Sequence, residues 1–170
     1  MKLVDKTIVI AAPPGDVYAL LTDAELLVEW MAPIARLDPR PGGEVTWTHH
    51  NGDTVRGEFV ELVPDRRVVF TYGWDRADVG VPPGSTVVEF TLRPVAAGTE
   101  LRLVHRSLEG PMADAHAGGW GNYLGRLAAR AEGRDPGADP LAGERVPTCT
   151  ELGLPAVSVP SADRSTKETP

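Results

Sequence analysis

EVTWTHHNGDTVRGEFVELVPDRRVVFTYGW, residues 44–74, is the stretch on which the fold turns. Asn51-Gly52 between two β-rich runs is a strong short-range hairpin signal, because Gly accepts positive φ without cost. It predicts strand 44–50 turning back into strand 53–62. Pro64-Asp65 then turns the chain into strand 67–74, where Val68, Phe70, Tyr72 and Trp74 alternate onto one face. Three consecutive antiparallel strands with one apolar face define a meander. Downstream, a loop over 75–84 leads to strand 85–93, with Val88, Phe90 and Leu92 on one face. Ala97-Gly98 turns into strand 99–107, with Leu101, Leu103 and His105 on one face. Upstream, residues 3–11 read as a first strand. Pro13 and Pro14 open a helix carrying Val17, Leu20 and Leu21. Thr22 and Glu25 have capping-box spacing for a second helix over 23–31, which Pro33 ends.

The meander needs a cover, and residues 112–132 supply it. His116, Trp120, Tyr123, Leu124, Leu127 and Ala131 fall on one side of a helical wheel, with Gly118, Gly121 and Gly125 opposite. Interior glycines weaken a helix by roughly 1 kcal/mol each. Packing of the apolar side therefore has to hold it. Gly133 is a stop signal, and the Pro/Gly/Ser/Thr-rich segment 133–170 reads as a disordered tail in which Leu152, Leu154 and Val157 are the pieces able to dock. The fold class is α+β: one domain over 1–132 and a tail over 133–170.

The chain has 170 residues and a formal net charge of −7, with no Lys/Arg cluster. This balance disfavours nucleic acid and anionic membranes as partners. No apolar run approaches the roughly 18 residues of a membrane span, and the N-terminus lacks the form of a secretion signal, so a cytoplasmic location is expected. The single cysteine, Cys149, cannot form an internal disulfide. There is no GxSxG, GxxxxGK[ST], HExxH or post-strand GxGxxG motif, and no cofactor or metal is expected. The Ala/Gly/Pro/Val/Arg-rich composition is that of a GC-rich bacterial coding sequence.

The order of strand, two short helices, meander and long amphipathic helix resembles the helix-grip fold of the START/birch-pollen-allergen (SRPBCC) superfamily. Within it, the chain resembles the family of activators of heat-shock-protein-90 ATPase and their homologues. The segments that carry this are VYALLTDAELLVEWMAP (17–33), RPGGEVTW (40–47), GEFVELVPDRRVVFTYGW (57–74), GTELRLVHRSL (98–108) and HAGGWGNYLGRL (116–127). The resemblance implies a curved antiparallel sheet wrapped around the last helix, with a cavity for an apolar small molecule between them.

Trp47, Phe59, Phe70, Tyr72, Trp74, Phe90, Trp120 and Tyr123 are the candidate lining of that cavity, because wide aromatic faces suit flat apolar ligands. The alternative is that they fill the core. A two-residue turn at Asn51-Gly52 would oppose Trp47 to Arg56 and Phe59 to Glu44, so the two aromatics would face opposite sides; a bulge near Gly57 would bring both inward. His105 and His116 are expected in the same interior, either holding a polar group or moving a proton, or else hydrogen-bonded within the core. His49-His50 cannot jointly hold a metal, since adjacent strand residues point to opposite faces. Glu61 is an acid–base candidate if buried, and otherwise an ion-pair partner of Arg66 or Arg67.

Three functions follow as expectations. The first is a binding protein for an apolar small-molecule ligand. The second is an aromatase/cyclase-like enzyme in the same pocket, as the superfamily resemblance implies. The third is a protein-interaction module, with a homodimer as one form, in which the glycine stripe lets another backbone approach.

Overall fold

The structure is a computed structural model, and residues 1–157 are described. Strand β1 (Lys2–Ile10) leads into α1 (Pro14–Thr22) and the single-turn α2 (Ala24–Leu27). Strands β2 (Ile34–Leu37), β3 (Glu44–Thr48), β4 (Thr54–Val63), β5 (Arg67–Tyr72), β6 (Thr86–Val95) and β7 (Gly98–Leu108) follow, and then helix α3 (Gly110–Ala131). One seven-stranded antiparallel sheet has the order β1-β7-β6-β5-β4-β3-β2, so every neighbour after the first crossover is a sequence neighbour. This is the expected α+β helix-grip architecture, with α3 across the concave face. The core between them holds Ile10, Val17, Leu101, Leu103, Leu124 and Leu127, all fully buried.

Two local details differ from the sequence-based expectation. The second helix ends at Leu27 and not at residue 31. The chain tightens there into i→i+3 bonds, Glu29 N to Leu26 O and Trp30 N to Leu27 O. The tightening drops Trp30 into the core, where its indole donates to Leu20 O at 2.9 Å. The cap of α2 is Asp23, whose carboxylate accepts from Glu25 N at 2.9 Å, while Thr22 Oγ1 donates back to Tyr18 O.

The hairpin loop is one residue longer than the two-residue turn. Gly52 N donates to His49 O, and His49 N to Asp53 O, with Gly52 at φ +88°. This is a three-residue loop closed by a left-handed glycine. The shift pairs Trp47 with Val55 and Val45 with Gly57. Trp47, Val55 and Phe59 consequently all face inward, each at most 3% exposed. Gly57 does take part, by a different route. A Cβ there would lie 1.7 Å from Thr71 O. The missing side chain lets β4 bend, so that 54–58 pairs with β3 and 59–63 with β5.

Residues 133–157 are not a loose tail. They run back over the body, with Leu141, Val146, Leu152 and Leu154 packed against the core and Cys149 buried at 7% exposure. Cys149 N donates to Asp78 O, and its thiol to Val79 O at 3.1 Å. The turn that contains it begins with a reciprocal cap: Thr148 N donates to Glu151 Oε2, and Glu151 N to Thr148 Oγ1. The remainder of the expected tail, 158–170, lies outside the described residues.

Candidate functional site

Between β3–β5, α3 and the segment 141–147 lies a cavity of about 370 Å³. Strand parity builds its deep wall: Trp47 and His49 from β3 and its loop, Tyr72 and Trp74 from β5 and just beyond. Helix α3 contributes Ala115, Gly119 and Tyr123 at four-residue spacing, with His116 and Trp120 beside them. Of the ten expected site residues, Trp47, Tyr72, Trp74, His116, Trp120 and Tyr123 line this space. Phe59, Phe70 and Phe90 do not. They close on one another at 6.3 and 6.1 Å between ring centres, deeper in the packed core. His105 is 0% exposed and sits behind Tyr72, their rings 4.5 Å apart and near perpendicular.

Three of the four tryptophans donate their indole N–H to a histidine. Trp120 donates to His105 Nδ1 at 3.1 Å, Trp74 to His116 Nε2 at 3.0 Å, and Trp47 to His49 Nε2 at 3.2 Å. Each accepting nitrogen must be unprotonated, which fixes the tautomer. Thr86 Oγ1 donates its proton to Tyr72 O, so it accepts from His105 Nε2–H at 2.8 Å. His116 Nδ1–H donates to Met112 O at 2.8 Å. Tyr123 donates to Asp139 Oδ2 at 2.8 Å, so its oxygen accepts from His49 Nδ1–H at 3.3 Å.

Every nitrogen of the three imidazoles is therefore engaged. Protonation would set an N–H against an indole N–H. Burial works in the same direction, pushing His105 down to about 2 and His49 to about 4, and holding His116 below its ordinary value. The expectation that His105 and His116 share the interior is met, with rings 5.4 Å apart. They stand there as neutral, saturated core groups. Among the described residues, no group of three His, Cys, Asp or Glu converges on a metal-sized point.

The hydroxyl of Tyr72 differs from these. Tyr72 lines the cavity, and its hydroxyl has no hydrogen-bond partner among the described residues. It retains open space before it, since no fully buried side-chain oxygen lacks a partner. Burial raises the phenol well above its ordinary value, with Tyr123 a smaller contributor, so the group is a neutral donor. Glu61 takes no part. It pairs with Arg67 at 2.9 Å on the outer face, as its ion-pair reading has it.

Sequence reasoning missed His49, Asp53 and Asp139. His49 is two residues from Trp47 on one strand, and that parity was the available signal. Asp53 is 6% exposed and binds Arg76 Nη1 at 3.0 Å. Burial would raise the Asp139 carboxyl, but bonds from Leu141 N, Tyr123 and Asn122 outweigh it and hold the group below the usual range.

No helix among the described residues is long and apolar enough to cross a membrane. The family described as "Activator of Hsp90 ATPase homolog 1-like protein" matches residues 11–132. No curated protein matches the sequence. Among solved structures, an AHSA1-like protein from Rhizobium etli is 41% identical, with a TM-score of 0.64 over 86% of this chain and 91% of its own. The Aha1 dimer of Colwellia psychrerythraea is 22% identical, with a TM-score of 0.65 over 78% and 97%. DynU16, from the dynemicin biosynthetic locus, is 22% identical, with a TM-score of 0.69 over 82% of this chain and 51% of its own. The last two show the shared fold. With the match spanning strands β2–β7 and all three helices, the chain belongs to the AHSA1-like family, on the helix-grip fold of the SRPBCC superfamily.

Proposed function

We propose that this protein binds a flat, largely apolar small molecule between its sheet and α3, with an oxygen acceptor of the ligand on the Tyr72 hydroxyl. The observation that carries this is the unpartnered phenol on the lining of a 370 Å³ space walled by three indoles. Protein interiors pack densely and pair their polar groups, so a preserved void with one free donor is the signature of a ligand site. The occurrence of this fold in DynU16, from a biosynthetic locus, is in keeping with an aromatic or polyketide-like ligand. Binding is favoured over acid–base turnover because the cavity histidines are neutral and saturated. The test is calorimetric titration with aromatic ketones, polyketide-like phenols and fatty acids, on the wild type and on Tyr72→Phe. A binder that loses about five- to tenfold in affinity on Tyr72→Phe, near 1 kcal/mol, supports the anchor. Equal affinity for both proteins removes it.

A further inference from the structure

One side of the cavity is lined by residues that lie beyond the family match. Leu141, Val146 and Pro147 form its outer wall, with Glu144 and Arg145 at the rim. This segment crosses the mouth as a strap and is fastened on both sides. On the α3 side, Arg126 donates to Trp30 O, Pro136 O and Gly137 O, and Asp139 accepts from Tyr123 and Asn122. On the hairpin side, Asp53 accepts from Val146 N and from Arg76, which also holds Val146 O. Asn51 Nδ2 donates to Glu144 O. Beyond these, buried Cys149 fixes the strap's far end.

The α3 latch is polar, whereas Leu141, Val146 and Cys149 hold the strap by apolar packing on the body. A polar latch that is only partly buried, as at Asp139, exchanges with water at small net cost, so this part of the strap opens more readily than the sheet beneath it. The α3 latch is also wired into the site, because Tyr123 and His49 both line the cavity and stand in one hydrogen-bond chain ending on Asp139. We infer that residues 133–157 are part of the ligand site: a strap that supplies the outer, specificity-determining wall and whose release at Asp139 admits the ligand. This rests on the ligand reading above. It assigns selection among ligands to Leu141, Val146 and Pro147, which the family match does not include.

The experiment uses the full chain and 8-anilinonaphthalene-1-sulfonate (ANS), followed by stopped-flow fluorescence, with hydrogen exchange read over 139–149. Wild type is compared with Asp139→Ala. Slow exchange of β6 and β7 amides in both proteins reports that the fold is intact. The expected result is loss of strap protection in Asp139→Ala, with association and dissociation of ANS each at least tenfold faster. Binding to the variant alone also supports the strap, as a mouth shut against ANS in the wild type. Saturable binding with unchanged rates overturns the strap and leaves the ligand site standing. Unchanged strap protection in the variant overturns the latch at Asp139. No ANS binding to either protein, with the strap loosened, overturns the ligand reading and the strap with it.

Discussion

Lowering the pH from 7.5 to 5.5 should destabilise this protein steeply, and the indole–imidazole pairs set the amount. In the unfolded chain His49, His105 and His116 titrate near the ordinary histidine value of about 6.5. In the fold all three are lowered by burial, His105 to about 2, His49 to about 4, and His116 in the same direction. The folded pKa values lie below the unfolded ones for groups that are cationic when protonated. The unfolded state therefore binds more protons, and stability falls as pH falls below about 6.5. Between pH 7.5 and 5.5, each histidine that remains neutral only in the fold costs about 1.4 kcal/mol, so His49 and His105 together cost about 3 kcal/mol, and His116 adds in the same direction. That is a large share of the 5–15 kcal/mol typical of a domain. Carboxylates held low by arginine, such as Glu89 beside Arg67 and Arg106, act in the same sense, but only once pH drops through the ordinary carboxylate range below about 5. Urea unfolding followed by tryptophan fluorescence at half-unit pH steps reads the slope. Unfolding free energy that stays flat to within about 1 kcal/mol from pH 7.5 to 5.5 would refute the neutral pairing.

Trp120→Ala should cost about 3–5 kcal/mol, since it empties a core site and strips His105 Nδ1 of its donor; urea denaturation measures it, and a loss under about 1 kcal/mol contradicts the packing. A chain ending at Asp135 should melt about 4–8 °C lower, because it uncovers the surface that Leu141, Cys149 and Leu154 bury; an unchanged Tm would mean the strap contributes nothing to the fold. Gly119→Leu should part binding from stability. A Cβ there meets nothing within 4 Å and points into the cavity, so the leucine blocks the ligand while helix propensity improves by up to about 1 kcal/mol. Calorimetric titration should show at least tenfold weaker ligand binding with Tm held or raised.

The sheet and its faces were legible because period-two alternation is a local property: Val88, Phe90, Leu92, Leu101, Leu103 and His105 are all buried as read. The turn at Asn51-Gly52 was legible as a turn but not in its length. One extra loop residue reverses which side chains face inward, and it is this residue that joins Trp47 to Phe59 and brings in His49. The indole–imidazole bonds were not legible where they join distant segments, Trp74 with His116 and Trp120 with His105. Composition predicted disorder after residue 133, because few apolar residues occur there. Those few are placed where the body has room for them, and the capping pair Thr148 and Glu151 was a readable sign of order.

The central claim is that three tryptophans wall a ligand space and the fourth does not. An NMR titration of the four indole Nε1–H resonances, with the tightest ligand from the aromatic and polyketide-like panel, reads this directly. Trp30 is bonded to Leu20 O, away from the cavity, and serves as the internal reference. The account predicts saturable shifts for Trp47, Trp74 and Trp120 with one common dissociation constant, and a stationary Trp30. No saturable shift from any ligand class, or a shift led by Trp30, would contradict it.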